Sequence, residues 1–123
     1  MARILIIDDE HDALVLAQEA LESEGHEVIC ASQGEQGLAL QRERPADLVI
    51  TDIFMPEKEG IETIHQLTQE YPGIKVIAMS GGGKSPRMLE NLSVTASALG
   101  IAAFLRKPFE VRTLCESVRH VLE

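Results

Sequence analysis

Short apolar runs alternate with longer amphipathic segments along this chain, and the alternation repeats five times. The first run, residues 4–7, is a continuous series of Ile and Leu that stops at two aspartates, which is typical of a parallel strand buried on both faces. The amphipathic segments carry apolar residues at helical spacing, and several of them end beside a Gly or a Pro, where helices commonly stop. The predicted strands are residues 4–7, 27–30, 47–51, 75–79 and 102–105. The predicted helices are residues 12–24, 34–44, 59–70, 92–99 and 109–122.

Strand and helix alternation of this kind predicts an α/β fold in which helices cover both faces of a parallel sheet. We expect the flavodoxin-like (βα)5 arrangement, a three-layer sandwich whose five strands lie in the order 2-1-3-4-5. The chain of 123 residues with 45% hydrophobic content fits a single domain over residues 1–123. In such a fold, ligands bind at the carboxyl ends of the strands, near the switch point between strands 1 and 3.

The composition argues against several classes of protein. Twenty acidic and 11 basic residues give a net charge of −9, which disfavours direct binding to the phosphate backbone of a nucleic acid. The apolar run at the start of the sequence is too short for a signal peptide or a membrane span. Cys30 and Cys115 lack the spacing of a zinc site and are interpreted as reduced thiols. We therefore expect a cytoplasmic protein that does not bind a membrane.

Polar residues follow four of the predicted strands. Asp8 and Asp9 follow the first strand, Asp52 follows the third, Ser80 follows the fourth, and Lys107 comes shortly after the fifth. Each residue alone is better explained as a cap, a loop residue or a solvated charge. Together they converge on one edge of the sheet, where grouped carboxylates repel one another unless a cation lies among them. Mg2+ prefers such oxygen ligands and also accepts phosphate oxygens.

This set of residues predicts phosphoryl chemistry. Asp52 would be a nucleophile that forms an acyl phosphate, while Lys107, Ser80 and Mg2+ would stabilise the phosphoryl oxygens. Two alternatives stay open. A flavodoxin-like module that binds without phosphorylation would need aromatic residues for a flavin, and the chain has no Trp and a single Tyr. A phosphatase-like enzyme with an Asp nucleophile would need a second acid two residues after Asp52, where Phe54 stands.

Several segments of the chain also match the pattern of a known family. They are Ile-Leu-Ile-Ile-Asp8-Asp9-Glu10, Leu-Val-Ile-Thr-Asp52-Ile-Phe-Met-Pro56, the later Gly60, Ile-Ala-Met-Ser80-Gly81 and Phe104-Leu-Arg-Lys107-Pro108-Phe109. In these segments, and over essentially its whole length, the chain resembles the receiver domain of response regulators in bacterial two-component signalling. The resemblance implies that Asp52 becomes a 4-aspartylphosphate, that Lys107 and Ser80 assist, and that the chain is a signalling phosphoacceptor rather than an enzyme.

The resemblance also implies a ligand set and a switch. Asp9, Asp52 and the backbone carbonyl of Phe54 would bind Mg2+, and Asp8 would act on the same ion mainly through water. The peptide bond between Lys107 and Pro108 would be cis, a form that is realistic only before proline. Ser80 and Phe104 would be the two switch residues, a hydroxyl that moves toward the phosphoryl group and a ring that turns inward.

Partners follow from the same resemblance. A sensor histidine kinase or a phosphotransfer protein would supply the phosphoryl group, and a downstream effector protein or domain would receive the signal. The expected output surface is formed by the fourth helix, the fifth strand and the last helix. A loop at residues 81–91, which looks longer than in compact chemotaxis-type receivers, is expected to make this surface unusual. A homodimer linked to phosphorylation, and the choice between a stand-alone regulator and part of a longer protein, stay open.

Overall fold

The computed structural model describes residues 1–53, 60–80 and 100–123, with Ser80 described by its backbone alone. Five parallel strands form one sheet in the order β2-β1-β3-β4-β5, so the predicted strand order is confirmed. The strands are β1 (Arg3–Ile7), β2 (Glu27–Ala31), β3 (Leu48–Asp52), β4 (Lys75–Ser80) and β5 (Ala103–Arg106).

Helices lie on both faces of this sheet. In the described parts of the chain they are α1 (His11–Ser23), α2 (Gly34–Glu43), α3 (Gly60–Glu70) and α4 (Val111–Leu122). Each begins and ends within two residues of a predicted helix. The predicted helix at residues 92–99 and the predicted loop at residues 81–91 lie outside the described residues. None of the helices that the structure describes is long and apolar enough to cross a membrane.

The central strands explain why the first apolar run is continuous. Ile4 and Ile6 on one face of β1 pack in a core cluster with residues of α1 and α4. Leu5 and Ile7 on the other face pack in a second cluster with residues of α2 and α3. All four side chains are buried, because successive residues of a strand point to opposite faces and both faces are covered by helices. The three layers of the predicted sandwich are therefore confirmed.

The register of the strands brings their carboxyl ends to one edge. Ile7 of β1 pairs with Thr51 of β3, Asp52 pairs with Met79 of β4, and Ser80 pairs with Arg106 of β5. Asp8 after β1, Asp52 at the end of β3 and Lys107 after β5 are consequently brought to this one edge. The switch point lies here, since the chain continues from β1 to β2 on one side and β3 occupies the other.

Candidate functional site

Three carboxylates meet at the carboxyl ends of β1 and β3. Oxygen atoms of Asp8, Asp9 and Asp52 lie within 4.8 Å of one another. Asp8 and Asp52 are buried, whereas Asp9 is exposed. Carboxylate oxygens in such a group are the ligands that hard divalent cations prefer. This cluster could therefore hold a metal ion.

Asp8 is fixed by hydrogen bonds on both sides. Its backbone N–H donates to the carbonyl of Ala31 at the end of β2, at 3.0 Å. One of its carboxylate oxygens accepts a hydrogen bond of 3.0 Å from the backbone N–H of Glu10. Aspartate commonly makes this contact to a backbone N–H two residues on, and it turns the chain. The turn takes the chain from β1 into α1 and leaves Asp9 at the surface.

Asp52 is held by the strand that it ends and by the start of α3. The hydroxyl of Thr51 donates to the Asp52 carbonyl at 3.1 Å, and the N–H of Ile53 donates to the carbonyl of Met79 at 3.0 Å. Gly60 begins α3, and a Cβ atom placed on it would lie 2.0 Å from the Asp52 carbonyl oxygen. A residue with a side chain does not fit at this distance, so the approach of α3 to Asp52 requires glycine at position 60.

One ammonium group joins these carboxylates. The Nζ atom of Lys107 lies 2.9 Å from Oδ2 of Asp52 and is in contact with Oδ2 of Asp8. It also lies 3.5 Å from Oε2 of Glu10. Lys107 comes directly after β5, and the peptide bond between it and Pro108 is cis. The residues predicted from three strand ends are thus in direct contact.

Burial and charge act in opposite directions at this site. Burial raises the pKa of the Asp8 carboxyl above its usual range, although Lys107 and the N–H of Glu10 favour the ionised form. Burial alone would lower the pKa of Lys107, but its hydrogen bonds to Asp8 and Asp52 raise that pKa above the ordinary value. Lys107 therefore stays protonated at neutral pH. Among the residues that the structure describes here, the ammonium of Lys107 offsets only part of the negative charge of the cluster, which favours the binding of a cation.

The other predicted site residues are placed less completely. Ser80 ends β4 at the same edge of the sheet, and its side chain is outside the described part of the structure. Phe54, the predicted source of a carbonyl ligand, lies outside the described residues as well. Phe104 is in β5 and is 36% exposed, so its ring lies at the surface. Cys30 and Cys115 are free thiols.

Two residues near the site had no predicted role. Glu10 directly follows the paired aspartates, and its carboxylate reaches Lys107. Gly60 begins the helix that follows Asp52 and touches the backbone of that residue. The sequence carried a signal for each residue, since Glu10 follows two other carboxylates and Gly60 lies at a predicted helix start. These signals do not show which atoms Glu10 or Gly60 contacts.

Known proteins that are similar to the chain fall in one family. A family model described as the response regulator receiver domain matches residues 4–119. Protein PilH of Pseudomonas aeruginosa is 35% identical over 124 residues, a match that covers 99% of this chain and 98% of that protein. The transcriptional regulatory protein CpxR of Escherichia coli is 35% identical over 122 residues, which cover 99% of this chain and 50% of CpxR. The chain thus spans about half the length of the CpxR relatives that it matches.

Solved structures agree with the fold. A CheY-like response regulator receiver domain protein from Methanospirillum hungatei superimposes with a TM-score of 0.89 at 34% sequence identity, over 99% of this chain and 94% of that one. The chemotaxis protein CheY4 of Vibrio cholerae superimposes with a TM-score of 0.87 at 26% identity, over 98% of each chain. These values support the predicted flavodoxin-like fold over nearly the full length of both small proteins.

Proposed function

The chain belongs to the family of response regulator receiver domains of two-component systems, and on this premise we propose that Asp52 is its phosphoacceptor in a Mg2+-dependent phosphorelay. The observation that carries the proposal is the ammonium of Lys107, which lies 2.9 Å from the Asp52 carboxylate at the edge where Asp8 and Asp9 also converge. A carboxylate beside a fixed cation can receive a phosphoryl group whose charge the cation then offsets.

Each group of the site has a role in this proposal. An oxygen of Asp52 attacks the phosphorus atom, the bond to the donor breaks, and the leaving group departs with the bonding electrons. Lys107 then exchanges its contact with Asp52 for one phosphoryl oxygen, and the hydroxyl of Ser80 donates to another. Asp8, Asp9 and Asp52, with the backbone carbonyl of Phe54, would hold Mg2+, which supplies neutralisation of the phosphoryl charge. Catalysis in this reaction consists of positioning and charge stabilisation.

The different roles that we propose for Asp8 and Asp9 follow from their different burial. Asp9 is exposed, so its carboxylate can exchange water for an ion directly. Asp8 is buried and already contacts Lys107, so we assign it the water-mediated role beside the ion. Its contacts to Glu10 and Lys107 would keep the ammonium aimed at Asp52 before the phosphoryl group arrives.

The phosphoryl group would come from a sensor histidine kinase or a phosphotransfer protein, and a downstream effector protein or domain would read the result. Phosphorylation adds roughly −1.5 to −2 units of charge, which Ser80 and Phe104 would convert into a change of the surface that includes β5 and α4. Phe104 is 36% exposed, so its ring lies at the surface, and the switch would turn it inward. A cytoplasmic location belongs to the same proposal and fits the two free thiols among the described residues. A homodimer linked to phosphorylation is a further form that the output could take.

Intact mass spectrometry tests this function. The protein is incubated with Mg2+ and acetyl phosphate, with Asp52→Asn and Asp12→Asn as variants, since Asp12 is an exposed aspartate of α1. We expect a gain of about 80 Da in the wild type and in Asp12→Asn, no gain in Asp52→Asn, and no gain when EDTA removes Mg2+. An adduct that persists in Asp52→Asn, or the lack of any adduct on folded wild-type protein, would contradict the proposal.

A further inference from the structure

Glu10 adds a fourth carboxylate at the solvent side of the site. Its Oε2 atom lies 3.5 Å from the Lys107 ammonium, and its side chain is 67% exposed. The side chains of Asp8 and Asp52, which contact the same ammonium, are only 1% and 7% exposed. Lys107 therefore lies between two buried carboxylates on the protein side and one exposed carboxylate on the solvent side. Glu10 thus places an exposed negative charge beside the ammonium that contacts Asp52.

The position of Glu10 is set by its backbone. Its N–H donates to Asp8 at 3.0 Å, and its carbonyl accepts from the N–H of Leu14 at 3.1 Å. Glu10 is the N-cap residue of α1, where a side chain often accepts a hydrogen bond from the first turn. It makes no such bond to this helix, whose first turn the structure describes in full. Its carboxylate lies toward Lys107 instead.

The charges explain what this arrangement does. Four carboxylates lie at this site in the described residues: those of Asp8, Asp52 and Glu10 are near the Lys107 ammonium, and that of Asp9 lies in one cluster with Asp8 and Asp52. Of the four, Glu10 is placed neither to receive the phosphoryl group nor in the cluster that could hold a metal ion. Its charge repels an anionic donor, and the repulsion grows in proportion to the charge of that donor.

We propose that Glu10 is a specificity-determining residue whose exposed carboxylate slows the phosphorylation of Asp52 by free phosphodonors in proportion to their negative charge. This inference rests on the proposed function of Asp52. Glu10 does not take part in the chemical step and selects among donors by the charge that it places at the mouth of the site. A donor of low charge, or one whose charge is balanced by the surface that presents it, is then favoured over a free dianion.

Two small donors of different charge separate this effect from others. Acetyl phosphate is largely a dianion at neutral pH and transfers its phosphoryl group as the P–O bond breaks and acetate leaves with the electron pair. Phosphoramidate is largely a monoanion with a protonated nitrogen, and its P–N bond breaks as ammonia leaves with the pair. Both reactions form the same acyl phosphate on Asp52, so one mass assay follows both.

The test compares initial rates at saturating Mg2+ for the wild type, Glu10→Gln, Glu10→Asp and the control Glu19→Gln. Glu19 is an exposed carboxylate farther along α1, so its removal changes net charge equally without changing charge at the mouth. At low ionic strength we expect Glu10→Gln to react about five-fold faster than the wild type with acetyl phosphate and about two-fold faster with phosphoramidate. The two rate ratios differ because such a ratio depends exponentially on the charge of the donor. Both rate ratios should approach one at ~1 M salt, where the Debye length is about 3 Å.

The two variants that retain charge at the mouth should stay close to the wild type. Glu19→Gln and Glu10→Asp are expected to react within about two-fold of the wild-type rate with either donor. A Glu10→Gln rate that is unchanged or slower overturns the inference, and so does an increase that is equal for the two donors or insensitive to salt. In these cases the wild type still forms the adduct, and the proposed function stands. A wild type that forms no adduct contradicts the proposed function, and the inference fails with it.

Discussion

Replacing Gly60 with alanine tests how closely α3 must approach the proposed phosphoacceptor. An added Cβ would lie 2.0 Å from the carbonyl oxygen of Asp52 and 2.3 Å from the Cα of Ile53. Ordinary contacts between such atoms are about 3.5 Å long, so the two segments would have to separate by roughly 1.5 Å. Both obstructing atoms belong to the backbone, which cannot turn aside as a side chain does. The hydrogen bond of 3.2 Å from the N–H of Gly60 to Ile53 would be strained by the same movement.

A second glycine provides a matched comparison. An added Cβ at Gly37, inside α2, would lie 2.3 Å from Cδ1 and 2.7 Å from Cγ1 of Ile7. Both atoms belong to a buried side chain, which can change its rotamer at a cost of about 1 kcal/mol. Alanine is also favoured over glycine inside a helix by about 1 kcal/mol. We therefore expect Gly37→Ala to change the free energy of unfolding by less than about 1 kcal/mol. Gly60→Ala should lower it by about 3 kcal/mol, the cost of overpacking that displaces backbone.

Urea denaturation of the two variants, without Mg2+, measures this difference. With an m-value of about 2 kcal/mol/M, the midpoint should fall by about 1.5 M for Gly60→Ala and by less than about 0.5 M for Gly37→Ala. A Gly60→Ala midpoint within about 0.5 M of the wild-type midpoint would refute the reasoning, because it would show that α3 moves away from Asp52 at little cost. Gly60 would then have no part in fixing the backbone of the site.

Two further substitutions test the charges of the site in buffer without metal. Lys107→Met leaves Asp8 and Asp52 without their shared ammonium and should cost about 3 kcal/mol of stability. The control Arg112→Met, which removes an exposed ion pair with Glu116, should cost less than about 1 kcal/mol. Equal urea midpoints for these two variants would contradict the expectation. Asp8→Asn tests the pH dependence of stability. Burial raises the pKa of the Asp8 carboxyl in the folded state, so the folded wild type binds the carboxyl proton more tightly than the unfolded chain does. The wild type therefore loses stability as the pH rises above the ordinary pKa of 3.8. Asp8→Asn should lack that loss and exceed the wild type in urea midpoint at pH 7, and a lower midpoint would contradict the assignment.

Mg2+ addition gives a third test in the same assay. At a concentration ten times its dissociation constant, Mg2+ should stabilise the wild type by about 1.4 kcal/mol and should stabilise Asp8→Asn by less. A wild-type urea midpoint that does not change when Mg2+ is added would contradict the proposed Mg2+ site.

The fold could be predicted because local and global signals agree in this chain. The continuous Ile and Leu run of β1 reflects burial on both faces, and the alternation of strands with helices restricts the topology to few solutions. Element ends were predicted less precisely. The last helix begins at Val111 rather than at residue 109, because apolar spacing marks the residues that face the core and not the first hydrogen-bonded turn.

The site was predictable in its residue types and not in its contacts. The carboxyl ends of parallel strands share an edge, so Asp8, Asp52 and Lys107 were expected to meet. The sequence could not show that Lys107 contacts both buried aspartates, since this depends on the path of the chain after β5. Glu10 was missed for a related reason. Its long side chain could have capped α1, and only the turn held by Asp8 places it beside the ammonium.

The central claim is that the phosphoryl group is carried by the carboxylate of Asp52, and reductive trapping tests it most directly. Hydride reduction converts an acyl phosphate of aspartate into the alcohol homoserine and leaves free aspartate unchanged. The protein is treated with acetyl phosphate and Mg2+, reduced with borohydride, digested and sequenced by mass spectrometry. We predict homoserine at position 52 only, and only when Mg2+ is present. A phosphoryl adduct on Ser80 or on a histidine, with aspartate intact at position 52, would contradict the account.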